Sequence, residues 1–267
     1  MWYKIPERFH AIDMHNHIWM DLKTGKLNTD LLRNLLKGAD QLGIERIGIS
    51  LPLLAPRVTP EEFRHANDLV LEVVSGNPRF FGFAFVDPYF ADESAEEIRR
   101  CVKLGMKGVK LYHQYTICDD MQRPVAETAA DLGVPVLIHA GKMRDHATSS
   151  IQPNLSNACH FLEALKKYPR TTFIQAHIGG GGDWEWNLRV LRNLRSPRYF
   201  IDLSGSVTDA DIVRRTIDAV GIDSILWATD MSMEESVAKL DAAKLDEESL
   251  HKVLHLNFER IESMRKA

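Results

Sequence analysis

Short apolar runs, rich in β-branched and aromatic residues, alternate along the chain with stretches whose apolar positions recur at helical spacing. The runs predict strands at about 10–17 (HAIDMHNH), 46–51 (RIGISL), 80–87 (FFGFAFVD), 107–112 (KGVKLY), 134–140 (VPVLIHA), 171–178 (TTFIQAHI), 198–204 (RYFIDLS) and 224–230 (SILWATD). Between them the periodicity predicts helices over 29–43, 59–76, 93–105, 121–133, 155–169, 185–195 and 208–221, and a last one from Glu247 to Arg265 closes the chain. Gly43, Gly76, Gly105, Gly133 and Gly221 read as helix stops. Thr59 with Glu62, and Ser94 with Glu97, stand at capping-box spacing, and Pro60 suits the first helical position. Eight strands alternating with eight helices predict an α/β fold of the (β/α)8 TIM-barrel type. An open doubly wound sheet would call for a glycine-rich phosphate turn after the first strand, and His-Asn-His-Ile-Trp is nothing like one. No linker or repeat divides the chain, so one domain over 1–267 is expected.

The polar residues give this pattern its interest. In such a barrel the carboxyl ends of the strands converge on one mouth, where function resides. Strand one ends in His15 and His17, two residues apart and hence on one face. Strand four carries Lys110 in G-V-K-L-Y, strand five ends in His139, strand six in His177 and strand eight in Asp230. Taken singly, each has a plain structural reading: a core histidine bonded to backbone, a helix N-cap aspartate, a rim lysine. Convergence changes the odds, because several unpaired buried polar groups would each be costly and one metal ion could satisfy them together.

Composition narrows the partners. The chain has 267 residues, 45% of them hydrophobic, with a net charge of -4 and interspersed signs, which argues against nucleic acid or an acidic membrane. Three widely spaced cysteines, Cys101, Cys118 and Cys159, suggest reduced thiols, not a disulfide framework or a thiolate zinc site. The start, MWYKIPERFH, lacks a signal-peptide core, and no stretch is apolar enough to span a bilayer. The expectation is a cytoplasmic protein acting on a small molecule, with homo-oligomerisation open.

H-x-H on strand one, histidines ending strands five and six and an aspartate ending strand eight resemble the amidohydrolase superfamily. K-G-V-K-L, L-I-H-A, A-H-I-G-G, A-T-D and the closing H-L-N-F-E-R-I, with Asn257 and Arg260, look most like its amidohydrolase-related branch, which also holds metal-dependent decarboxylases. The resemblance covers nearly the whole chain. It implies that His15, His17, His139 and Asp230 bind a divalent metal, with Asp230 as base and His177 as a further catalytic group. Zinc is expected from a nitrogen and carboxylate donor set, with manganese as the alternative. One ion is favoured. In several amidohydrolases a lysine at the position of Lys110 becomes a carbamate bridging two ions, and His139 with His177 would then hold the second. Lys142 and Arg144, just after His139, are candidates to pair with a substrate carboxylate.

Three functions remain open at this point. Metal-activated water acting on a small ester, lactone or amide is the broader default. Loss of carbon dioxide from a metal-chelated aromatic or unsaturated acid is the alternative, and a noncatalytic metal-holding scaffold is the third, disfavoured because a scaffold needs no base. His251 and His255 have a zinc-capable spacing, but their surroundings fit an outer helix. Gly179 to Gly182 could cradle an anion, or equally form a turn that brings Trp184 and Trp186 near the mouth.

Overall fold

The computed structural model describes residues 4–21, 23–141, 150–178, 184–205, 209 and 211–265. Eight parallel strands form one sheet in sequence order: β1 (Ile12–His17), β2 (Arg46–Ser50), β3 (Phe80–Phe85), β4 (Gly108–Leu111), β5 (Val136–His139), β6 (Phe173–Ala176), β7 (Tyr199–Asp202) and β8 (Ile225–Leu226). Each lies within its predicted run. The sheet curls until its first and last members meet: Met14 N–H donates to Trp227 O at 3.3 Å, and Asp230 N–H donates to His15 O at 2.9 Å. The second bond ties the end of β1 to the residue that follows β8.

Helices cover the outside: α1 (Thr29–Leu42), α2 (Pro60–Gly76), α3 (Ala91–Lys103), α4 (Arg123–Leu132), α5 (Ala158–Lys167), α6 (Trp184–Leu191), α7 (Ile212–Val220), α8 (Met233–Ala242), α9 (Glu247–His251) and α10 (Asn257–Glu262). One large apolar core lies between the strands and these helices. A second fills the barrel itself, from Ile12, Phe81, Phe83, Leu137, Ile174 and Phe200 among others, and Phe258 and Ile261 of α10 plug its floor. The strands are therefore buried on both faces, as parallel barrel strands must be. Among the described residues, no helix is long and apolar enough to cross a membrane.

Most local signals behave as expected. Thr59 Oγ1 accepts from Glu62 N–H, and Glu62 Oε2 accepts from Thr59 N–H at 2.8 Å, completing the capping box that starts α2 with Pro60 in its first turn. Three expectations need correction. Ser94 is not a cap: α3 begins at Ala91, and Ser94 Oγ donates instead to Asp87 O at 2.7 Å. Its supposed partner Glu97 is buried and accepts from Asn67 and Arg100. Nor does Gly76 stop its helix by a left-handed turn, since it is the last helical residue and Asn77 leaves in extended conformation. Helix α8 had no counterpart among the predicted helices, although its acidic first turn and buried Met233, Val237 and Leu240 carry the signal.

Two irregularities bear on the site. The β1–β2 register shifts between Asp13 and Asn16, a bulge of the kind that re-aims side chains at strand ends. Gly48 on β2 accommodates it, because a Cβ there would lie 2.5 Å from Met14 O. In the closing helix, residues Lys252–Leu256 widen into a π turn between α9 and α10. The turn leaves Val253 O free to accept from Trp227 N–H at 3.1 Å, which anchors the end of β8 to the floor.

Candidate metal centre

The bulged end of β1 presents His15 and His17 with ring centroids 5.0 Å apart. Asp230 Oδ1 lies 3.2 Å from His17 Nε2 and 3.8 Å from His15 Nε2. These three side chains are close enough for one ion to touch all of them. The opposite ring nitrogens are tied back: His15 Nδ1 to Asp202 Oδ2 at 2.9 Å, and His17 Nδ1 to Ser50 Oγ at 3.0 Å. Such outward tethers aim the Nε2 lone pairs inward, the arrangement that metal-bound histidines adopt.

Asp230 is held by its backbone. It and Met231 have φ of 43° and 72°, left-handed values that cost a non-glycine residue energy and must be enforced by neighbours. Asp13 and Asn16 of β1 supply the enforcement. Thr229 N–H and Oγ1–H donate to Asp13 Oδ1 and Oδ2 at 2.9 and 2.6 Å, Asn16 Nδ2 donates to Asp13 Oδ2 at 2.6 Å, and Met231 N–H donates to Asn16 Oδ1 at 2.9 Å. Asp13, Asn16 and Thr229 are fully buried, and these bonds satisfy their polar groups.

On the other flank, His177 Nε2 meets His139 Nδ1 at 3.0 Å and lies 3.6 Å from Asp230 Oδ2. His139, expected as a further ligand, is paired with His177 and stacked on the Tyr112 ring at 4.5 Å and 18°. Lys110, fully buried, donates to His15 Nε2 at 2.8 Å. Of the expected site residues, then, the fold gathers His15, His17, Lys110, His139, His177 and Asp230. Lys142 and Arg144 lie outside the described residues, as do Gly179 to Gly182.

Electrostatics suit a cation. Burial pushes His15 down to about 4, with the Lys110 ammonium adding to the effect, and burial lowers His17 and, strongly, His139. The rings are therefore neutral and available as donors. Burial alone would raise Asp230, but His15, His17 and His177 outweigh it and hold the carboxyl well below its ordinary range. Burial lowers Lys110 to about 8, and raises Tyr112 to about 12 with help from Asp230, so its phenol stays protonated. Two neutral imidazole nitrogens and one carboxylate oxygen, facing each other inside the barrel, fit a divalent transition ion.

Several residues of the site escaped the pattern reading. Asp202 and Ser204 at the end of β7, Asp13 and Asn16 within β1, Ser50 and Tyr112 all contact it. For Asp202 the signal existed, since F-I-D-L-S places a carboxylate after an apolar run just as L-W-A-T-D does.

A model of the amidohydrolase family matches residues 12–261. No curated protein sequence matches the chain. Among solved structures, the 2,6-dihydroxybenzoate decarboxylase from Rhizobium superposes with a TM-score of 0.72 at 21% identity, over 95% of this chain and 98% of that one. A dihydroxybenzoic acid decarboxylase from a Polaromonas species, solved with bound manganese and 2-nitroresorcinol, gives 0.73 at 19%, over 96% and 98%. The 4-oxalomesaconate hydratase from Rhodopseudomonas palustris gives 0.71 at 17%, over 95% and 96%. At these identities the likeness is one of fold.

Proposed function

The chain belongs to the amidohydrolase family, and from that premise we propose that it decarboxylates a small aromatic or unsaturated acid without oxidation, at a divalent ion held by His15, His17 and Asp230. Fold and buried ligand cluster together make it a metal-dependent enzyme. We read the whole chain, 1–267, as one barrel domain serving that site.

The observation that carries the reading is the pair His139–His177 against the Tyr112 ring. Neither imidazole belongs to the trio, and their facing ring nitrogens lie at hydrogen-bond distance, 3.0 Å, beside Asp230. Decarboxylation breaks the bond between the carboxylate and its carbon. Carbon dioxide leaves, the electron pair stays on the ring or vinylic carbon, and that carbon then takes a proton. The His139–His177 pair is placed for that delivery, and solvent returns to it the one proton consumed in each turnover. The stacked Tyr112 ring offers a flat wall for a planar acid, and its hydroxyl can donate a hydrogen bond. The buried Lys110 ammonium favours an anion. Bound there, the ion would supply a Lewis acid toward substrate oxygens. Fold neighbours named as decarboxylases of dihydroxybenzoates support the choice of substrate class, and the one carrying manganese leaves zinc and manganese both open for this chain.

Hydrolysis of an ester, lactone or amide is the second reading, favoured by the depressed, ionised Asp230, which could accept a proton from water. Two ions bridged by a Lys110 carbamate, with His139 and His177 on the second, is the variant of the site to be tested against one ion. Incubating metal-loaded protein with aromatic acids, lactones and amides, while following carbon dioxide and acid release separately, decides the reaction. Carbon dioxide formed in step with loss of the acid is expected. Acid release from lactones or amides with no carbon dioxide from any acid overturns the proposal in favour of hydrolysis.

A further inference from the structure

Asp202 shares a cluster with His15 and His177 that could itself be taken for an ion site. Its bonding says otherwise. Asp202 Oδ2 faces Nδ1 of His15 at 2.9 Å, whereas the Nε2 on the far edge of that ring faces Asp230. Asp202 therefore lies behind His15, away from the trio. Its other oxygen, Oδ1, already accepts from His177 N–H and Ser204 N–H at 3.0 Å each, and contacts Ser204 Oγ at 2.5 Å.

From this geometry we infer that Asp202 is a positioning residue that sets the proton on two histidine rings at once, on Nδ1 of His15 directly and on Nδ1 of His177 through Ser204. An ionised carboxylate has only lone pairs to offer, so each of its partners must donate. His15 must then carry its proton on Nδ1. Ser204 has a single hydroxyl proton, and it goes to Asp202. The Ser204 oxygen can only accept in its remaining contact, from His177 Nδ1 at 2.8 Å. With its proton on Nδ1, each ring turns Nε2 toward the site as the acceptor. The remaining contacts agree with that assignment: Lys110 donates to His15 Nε2, and His139 Nδ1, now required to carry a proton, donates to His177 Nε2. Asp230 lies 3.8 and 3.6 Å from these two Nε2 atoms, so an ion bound by His15 would take the lone pair that otherwise accepts from Lys110.

The inference rests on the metal-centre reading above, but its proton assignment can be read without metal. In metal-free protein labelled with 15N-histidine, ring nitrogen shifts should show Nδ1 protonated and Nε2 unprotonated for His15 and His177. Asp202→Asn keeps the shape but presents an amide. Its oxygen stays with the three donors of Oδ1, its NH2 faces His15 Nδ1, and the His15 proton should move to Nε2. Zinc and manganese affinity should fall about 10- to 100-fold, the usual cost of losing such an outer partner, with near-wild-type circular dichroism. Ser204→Ala should disturb the His177 tautomer while leaving that of His15 unchanged. If Asp202→Asn fails to fold, the wild-type shifts and the Ser204→Ala spectrum still decide. A His15 protonated on Nε2 in wild type, or an Asp202→Asn protein with unchanged His15 shifts and metal affinity, overturns the inference. Expected shifts in a wild type that binds no metal would instead reject the metal centre and leave the proton assignment standing.

Discussion

Two aspartates at the mouth of this barrel are both fully buried, yet they are held in opposite ways. Asp13, at the seam of β1 and β8, meets only neutral donors: Thr229, Asn16 and the His15 backbone N–H. Burial dominates, and its carboxyl is pushed up to about 7. Asp202, at the seam of β6 and β7, is just as dry, but His15 and His177 lie against it, and together with Ser204 they overcome burial and hold it below the ordinary carboxylate range. Burial is the same in both places; the partners set the sign. Asp13 serves shape, since it fixes the left-handed backbone that presents Asp230. Asp202 serves proton placement. Removing either should therefore fail differently.

The largest effect should come from the residue that the Asp13 network presents. Asp230→Asn keeps an oxygen that can still coordinate weakly, but turnover should fall by about 10²- to 10⁴-fold because the trio loses its only anionic ligand and the neutral amide holds the ion poorly. Nearly unchanged turnover in a metal-loaded variant would remove Asp230 from the chemistry. Next, Asp13→Ala should cost on the order of 3 kcal/mol of stability, because several buried donors lose their acceptor together. Urea denaturation of the metal-free protein measures this, and a loss no larger than that of Asp202→Asn would erase the distinction between the two seams.

Lys110 stands between the two sides, beside His15, and sharpens the comparison in another way. With one ion, Lys110→Ala should leave metal content unchanged and mainly raise KM for an anionic substrate. A count of two falling to one or none, with bicarbonate speeding assembly of the apoprotein, would point to a bridging carbamate. The smallest effect belongs to Ser50→Ala, which frees only His17 Nδ1. Metal affinity should drop about tenfold, at the low end for an outer partner. A drop matching that of Asp202→Asn would mean that a serine tether orients its ring as strongly as a carboxylate does.

The eight strands were legible because each is a short apolar run, and parallel strands buried on both faces read that way. His15, His17, His139, His177 and Asp230 were legible because a polar residue closing such a run has few ordinary reasons to be there. Asp13 and Asp202 were not, since one aspartate in a strand signals nothing until its partners from distant parts of the chain are known: Thr229 for one, His15 for the other. The same holds for Ser94, whose capping-box spacing is real but whose hydroxyl is taken by Asp87 O from the end of β3. Helix α8 escaped because it begins only a few residues past Asp230 and leaves a short loop where none was sought. Pairing of His139 with His177 depends on how far each side chain leans into the barrel, which spacing does not encode. The choice between decarboxylation and hydrolysis likewise lies in side-chain placement around one shared ion site.

The central claim is that His15, His17 and Asp230 together hold an ion. Metal content per chain, measured by elemental analysis of the purified protein beside its His17→Ala variant, tests it most directly. The account predicts a stoichiometric divalent transition metal in wild type and a folded, nearly metal-free variant. A wild type that is active, free of metal and indifferent to chelators would contradict it, as would a His17→Ala protein that keeps the full complement.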